Sequence, residues 1–153
     1  MIQSHSQTSL GIRPTPSYLI AQIAKAHRKR ADELLSAIGL HVGQEMIIDA
    51  LWSTDAMSQS DLAKTIGVRK ATVTISLKPL ERDGLVERER DTVDHRVIQV
   101  RLTPKGREIG VEIRRAWTTL DVQTTNGLTD AELASLEVLL EKIQSNLVAN
   151  PPT

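Results

Sequence analysis

The feature that most narrows the fold is a change of hydrophobic period in mid-chain. Across residues 58–83 apolar side chains recur at helical steps, first Leu62, Ala63 and Ile66, then Val73, Leu77 and Leu80. From Leu85 to Leu102 the period falls to two, in Val86-Glu87-Arg88-Glu89-Arg90 and Ile98-Gln99-Val100-Arg101-Leu102, as half-buried strands require. The link Asp91-Thr92-Val93-Asp94 is polar enough for an exposed turn. Thr103-Pro104 then restarts a helix, with Thr as cap and Pro at the first helical position, where its missing N–H is no loss. Two short helices, a hairpin and a return to helix predict a mainly α chain with a small β-hairpin wing.

The flanks are helical too. Ile20, Ile23, His27, Ala31, Leu34 and Ile38 step by three and four along one amphipathic helix, with Gly39 placed to supply a left-handed cap. A second helix over 42–53 is expected to bury Met46, Ile47, Ala50 and Leu51. Ser58 with Asp61 forms a capping box for the third, and Gly67 ends it. The fourth runs from about Lys70 to Asp83. After Thr103, Ile109, Ile113, Trp117 and Leu120 mark the buried side of a fifth helix, broken at Gly127. Thr129 with Glu132 caps a sixth, in which Leu133, Leu136, Leu140, Ile143 and Leu147 form a heptad-like seam. The organisation expected is a flexible arm at 1–15, a dimerisation helix at 16–41 and a winged helix-turn-helix domain at 42–102. Dimerisation helices at 103–148 and a tail at 149–153 complete it.

Composition removes several functions. The 153-residue chain has no Cys, so a thiolate metal site, a catalytic Cys and a thiol switch are all excluded. Only Trp52, Trp117 and Tyr18 are aromatic, too few for stacked single-strand recognition. No Gly-rich phosphate loop, Gly-x-Ser-x-Gly elbow or His-Glu-x-x-His occurs, so no enzyme is expected. His41 and Glu45 could share a helical face as a metal pair, but two ligands make no site, and a solvated pair is the plainer reading; no metal or cofactor is expected. No apolar run is long enough to span a membrane, and Met1 to Gly11 lacks an apolar signal core, so a cytoplasmic protein without a membrane partner is expected. The zero net charge conceals a split. Residues 60–115 carry 13 Lys/Arg against 9 Asp/Glu, a balance of +4, whereas 116–153 carry 1 against 5, a balance of −4. A basic middle suits a polyanion, although chance surface charge would look the same.

Helix 58–66, the turn Gly67-Val68-Arg69 and helix 70–83 have helix-turn-helix spacing, which lays the second helix in the DNA major groove. If Val73, Leu77 and Leu80 pack inward, Arg69, Lys70, Thr72, Thr74, Ile75 and Lys78 are left to face DNA. Lys and Thr can bond phosphates or base edges, and apolar groups can cover a thymine methyl. A generic helical hairpin would leave them merely solvated. A hairpin directly after such a unit reads as a wing, and Arg90, His95 and Arg96 at its tip suit the narrow, negative minor groove. Asp94 there is expected to ion-pair with and aim a nearby Arg. An ordinary charged hairpin tip is the alternative.

The chain resembles the MarR-type winged-helix regulators. The resemblance rests on Gly39-Leu40…Gln44, Ser58-Gln59-Ser60-Asp61-Leu62-Ala63, Thr72-Val73-Thr74 and Leu80-Glu81-Arg82-Asp83-Gly84-Leu85-Val86. Most specific is Asp94-His95-Arg96 joined to Val100-Arg101-Leu102-Thr103-Pro104-Lys105-Gly106. It spans roughly residues 16–148. It implies a homodimeric transcription regulator on pseudo-palindromic duplex DNA, paired through its first and last two helices, with Arg96 in the minor groove. It also implies a ligand-responsive repressor with a pocket for a small aromatic acid, lined by His27, Met46, Trp52 and Trp117, with Arg28 as carboxylate partner. Plain core packing of these residues is the alternative, as is an interfacial role for His27. The chain departs from the pattern at Arg69, where a small polar cap is usual, at Ile75, often basic, and at His41, where Thr or Ser usually begins the second helix. Pro79 is expected to bend or stop the recognition helix near its end. The competing function is a small-molecule-binding dimer whose winged helix contacts protein.

Overall fold

The computed structural model describes residues 13, 15–92 and 94–149. Most of the expected arm and tail, and Val93 in the wing loop, lie outside the described residues. Six helices and three strands follow in order: α1 Pro16–Ser36, α2 Gln44–Trp52, β1 Met57–Ser58, α3 Gln59–Ile66, α4 Lys70–Arg82, β2 Val86–Arg90, β3 Ile98–Leu102, α5 Pro104–Thr125 and α6 Asp130–Ala149. The mainly helical fold with a β wing is as expected. Beyond the hairpin, the sheet gains β1, giving the antiparallel order β1-β3-β2. Met57 pairs with Val100, and Val86 through Arg90 pair with Leu102 through Ile98. No described helix is long and apolar enough to cross a membrane. The chain divides into two compact units, one ending at Thr118 and one from Thr119.

The core of the first unit gathers one face from each element. Leu35 and Leu40 come from the end of α1 and its turn, Ile47, Ile48 and Leu51 from α2, Leu62 from α3, and Val73, Leu77 and Leu80 from α4. Val86, Val100 and Leu102 of the strands and Ile113 of α5 complete it. Three expectations of burial need correction. In α1 it is Leu35, not Leu34, that is fully buried, because Ala31 and Leu35 one turn apart set the inward face. Ile20 and Ile23 of the same stripe are exposed in the single chain. Met46 and Trp117 are also exposed rather than core, since both open onto a cavity.

Caps and glycines set the angles between elements. The Ser58 hydroxyl accepts the Asp61 N–H at 3.1 Å, one leg of the expected box, and donates to the Asp61 carboxylate at 2.7 Å, the shorter Asp meeting the hydroxyl rather than the backbone N–H. At α6 the box is complete: the Glu132 carboxylate accepts the Thr129 backbone N–H and hydroxyl, both at 2.8 Å, which holds its carboxyl below the ordinary range, and the Thr129 hydroxyl accepts the Glu132 N–H at 3.3 Å. At the start of α2, the Gln44 side chain accepts the His41 N–H at 2.9 Å, which closes the turn, while the N-cap position, Gly43, makes no side-chain cap bond to the helix. The Thr103 hydroxyl donates to the Gly84 carbonyl at 2.6 Å and accepts the Gly106 N–H at 3.0 Å. A Cβ on Gly106 would sit 2.0 Å from the Leu85 carbonyl oxygen. Thr-x-x-Gly is therefore the local chemistry that lets α5 start directly against the root of the wing.

Candidate nucleic-acid interface

α3 ends at Gly67, whose φ of 70° only glycine adopts without strain, and the Val68 N–H returns to the Ala63 carbonyl at 3.0 Å. This short turn delivers α4 with Val73, Leu77 and Leu80 buried beneath it. Arg69 is the N-cap of α4 and makes no side-chain cap bond, so the positive end of the helix is topped by a guanidinium rather than closed by a hydroxyl. Arg69, Lys70, Thr72, Ile75 and Lys78 are all exposed. Thr74 is not displayed with them. It is half-buried, and its hydroxyl donates to the Lys70 carbonyl at 3.0 Å and lies 3.3 Å from the side-chain oxygen of buried Gln59. It helps seat α4 on α3, a role spacing alone does not reveal. Pro79 does not stop the helix, which continues to Arg82.

The wing is stiffened by charge pairs at its base. Arg88 bonds the Glu81 carboxylate through Nε at 2.9 Å, linking β2 to α4. Arg101 reaches Glu89 at 3.2 Å across the ladder. Arg90, His95 and Arg96 near the tip are exposed, and among the described residues neither arginine pairs with a carboxylate. Asp94 does not ion-pair with an Arg as expected. Its carboxylate accepts the backbone N–H of Arg96 at 3.0 Å, so it shapes the tip that carries the side chain. Asp91, not singled out from sequence, accepts the Asp94 N–H at 2.9 Å and the Gln99 amide at 3.0 Å.

Between α2 and α5 lies a cavity of about 350 Å³, lined by Met46, Trp52 and Trp117 together with Glu45, Ile48, Asp49, Gly110, Ile113 and Arg114. Three of the five expected pocket residues therefore meet. His27 adjoins them, its ring 6.1 Å from that of Trp117. Arg28 does not line this cavity. It lies in a separate cleft with Lys25, Lys29, Asp32, His41 and Val42. Arg114, missed from sequence, lines the cavity with its guanidinium 6.0 Å from the centre of the Trp52 ring. Gly110 makes room for that indole, since a Cβ there would meet it at 2.0 Å. Glu45 is buried, not solvated, and its carboxylate accepts the Gly43 N–H at 2.6 Å while His41 stays exposed. Among the described residues no group of three or more His, Cys, Asp or Glu is placed to hold a metal.

Residues 40–98 match the MarR family. The chain is 41% identical over 70 residues to the uncharacterised transcriptional regulator YdgJ of Bacillus subtilis, a match covering 46% of this chain and 43% of that protein. It is 26% identical over 132 residues to the repressor IacR of Pseudomonas putida, covering 86% of this chain and 79% of IacR. Among solved structures, Staphylococcus aureus MepR in complex with DNA superposes with a TM-score of 0.79 at 26% identity, over 87% of this chain and 98% of MepR. Bordetella bronchiseptica BpsR, whose DNA binding is regulated by 6-hydroxynicotinic acid, gives 0.78 at 25% identity, over 87% and 95%. A helix-turn-helix with its exposed cations, a paired wing and the Thr-x-x-Gly start of α5 agree with these matches: residues 40–98 are MarR-like, and the chain as a whole is similar in sequence and fold to winged-helix transcription regulators.

Proposed function

We propose that this chain is a sequence-specific duplex-DNA-binding repressor that acts as a homodimer on a pseudo-palindromic site and releases it on binding a small ligand. One observation carries DNA binding: Arg69, Lys70 and Lys78 on α4 and Arg90 and Arg96 on the wing are exposed and, among the described residues, free of ion pairs, while neighbouring Arg82, Arg88 and Arg101 are paired. A module that only contacts protein has no need of five unneutralised cations on one helix and one hairpin. Titration of duplex DNA at varied salt tests it. With all five on phosphate, the log–log slope is about −4.5 per protomer, and a slope near zero overturns the reading.

The homodimer is supported by apolar surface that a monomer leaves in water, Leu139, Leu140 and Leu147 on α6 and Leu19 and Ile23 on α1. A two-fold axis would set the recognition helices about 34 Å apart, one DNA turn. Sedimentation at micromolar concentration checks this, a stable monomer being the adverse result. Ligand control is supported by the indole-lined cavity, and with no Cys in the chain a thiol switch is impossible. Arg114, rather than Arg28, is the cation within reach of an aromatic carboxylate there. A tenfold loss of DNA affinity needs about 1.4 kcal/mol of preference for the DNA-incompatible form. Titration of the DNA complex with aromatic carboxylates and with divalent metals separates the two kinds of trigger, and a reporter downstream of the bound site distinguishes repression from activation.

A further inference from the structure

If α4 enters the major groove, its outward surface also indicates which group on the bases it reads, an inference that rests on the DNA-binding reading above. Ala71, Thr72 and Ile75 are exposed together near the start of the helix, Ile75 at 67%. Residues 71 and 75, and 72 and 75, are neighbours on a helix surface, so the methyl groups of the three lie side by side, with the Thr72 hydroxyl as the polar atom among them. Thr74, a second hydroxyl nearby, is turned to Gln59 and to the Lys70 carbonyl. Arg69, Lys70 and Lys78 flank the patch, so the surface that would be pressed against a polyanion has an apolar centre.

The four bases offer different partners to such a centre. Guanine shows two acceptors in the major groove, adenine an acceptor and a donor, and cytosine a donor. Thymine alone adds a methyl group at C5. Ala71 and Ile75 have no side-chain donor or acceptor, so a purine edge or a cytosine amine beneath them would lose its water and gain no bond. A thymine methyl instead removes apolar surface on both sides. We propose that α4 reads thymine C5-methyl groups through Ala71, Thr72 and Ile75, with Ile75 as the main contact, and that Lys70 and Lys78 hold the adjoining phosphates.

The test begins by enriching high-affinity duplexes from a randomised duplex library with the full chain. Each thymine of the winner is then replaced by deoxyuridine, which removes the methyl and keeps the pairing. Affinity is expected to fall about fourfold per buried methyl, and about fifteenfold when both half-sites are changed, at one or two adjacent thymines only. Ile75→Ala, an exposed change that leaves the core alone, is expected to lose the same factor on the thymine duplex and nothing more on the uridine duplex. Uridine tolerated at every position, or an Ile75→Ala loss equal on both duplexes, overturns the methyl reading while DNA binding stands. Failure to enrich any duplex, with no salt-dependent binding, overturns the DNA-binding reading and this one with it.

Discussion

From α2 to β3 every element but the two-residue β1 contributes a fully or nearly fully buried side chain, and Leu51, Leu62, Leu77 and Val100 have no exposed surface left. α6 is as rich in leucine, yet none of its residues is buried. Leu133, Leu136 and Ile143 are half-covered, and Leu140 and Leu147 lie open to water. The contrast separates two uses of the same amino acid. In the winged helix, apolar periodicity is answered by neighbouring elements of the same chain, so the domain has its own core. In α6 the same periodicity leaves its leucines without a buried position, and on the homodimer proposed above they are what a second copy would cover.

The largest effect should come from denying α6 that cover. Leu140→Glu with Leu147→Glu puts charge into the seam and should convert the protein to monomer in sedimentation velocity, with the winged-helix signals in NMR unchanged. Loss of the second half-site should lower DNA affinity by about 100-fold or more. A double variant that remains dimeric would show that the seam is not where copies meet, and the comparison between the two regions would lose its functional meaning.

Next in size is a change on the self-sufficient side. Gly106→Ala introduces a Cβ 2.0 Å from the Leu85 carbonyl oxygen, and that neighbour is backbone, which cannot swing away. Destabilisation of about 3 kcal/mol is expected by urea denaturation, through the start of α5 being forced off the root of the wing. A cost within experimental error would mean that this junction is loose and that the winged helix does not depend on it.

How far these features could be read from sequence depends on whether they are local. The strands 86–90 and 98–102 emerge from alternation because one face had to be buried, and the caps at Ser58, Thr103 and Thr129 emerge because their partners sit three residues away. β1 escapes because two residues carry no period. Leu34 and Leu35 both satisfy the helical steps of α1, and only the packing around Leu40 and α2 chooses between them. At the wing the cations are legible, but Asp94 serves a backbone N–H where a charge pair was expected, since carboxylates close in sequence reach either partner. In the cavity, aromatic side chains are legible as apolar, whereas the identity of the nearby cation, Arg114 in place of Arg28, depends on which faces of α1 and α5 turn inward. Spacing along one helix cannot supply that.

A smaller effect is expected at the wing tip, and it asks whether the winged helix carries function as well as stability. Arg96→Ala should leave the melting temperature unchanged, weaken DNA binding about tenfold and reduce the salt slope by about one. If the guanidinium reads a narrow minor groove, A·T-rich flanks lose most. Asp94→Ala should lose about threefold, because the Arg96 N–H gives up its acceptor while the charge remains. Equal affinity of Arg96→Ala on every duplex, compared with the unaltered chain, would remove Arg96 from the interface.

The smallest effect concerns Glu45, the charged residue placed inside the better-packed region. Burial pushes its carboxyl above the ordinary glutamate range, and the backbone N–H bonds from Glu45 and Gly43 and the charge of Arg28 oppose that shift without reversing it. Asp49 and Arg114 share its cavity. A raised value in the folded state means the folded chain holds the proton at pH values where the unfolded chain has released it. Glu45 therefore contributes most stability below the unfolded value, and that contribution is lost as pH rises through the folded value. Glu45→Gln keeps an oxygen to accept the Gly43 N–H and never ionises. The difference in stability between variant and parent should accordingly move in favour of the variant as pH rises from 4 toward 7, and level off once Glu45 is ionised. The comparison must be made as a difference, because exposed Asp61, Asp83 and Glu132 have lowered values and tilt the parent curve the opposite way. If the variant instead loses ground as pH rises, the ionised carboxylate is worth more to the Gly43 turn than its burial costs. Glu45 would then be a stabilising cap of α2, and the winged helix would hold no charge against its own packing.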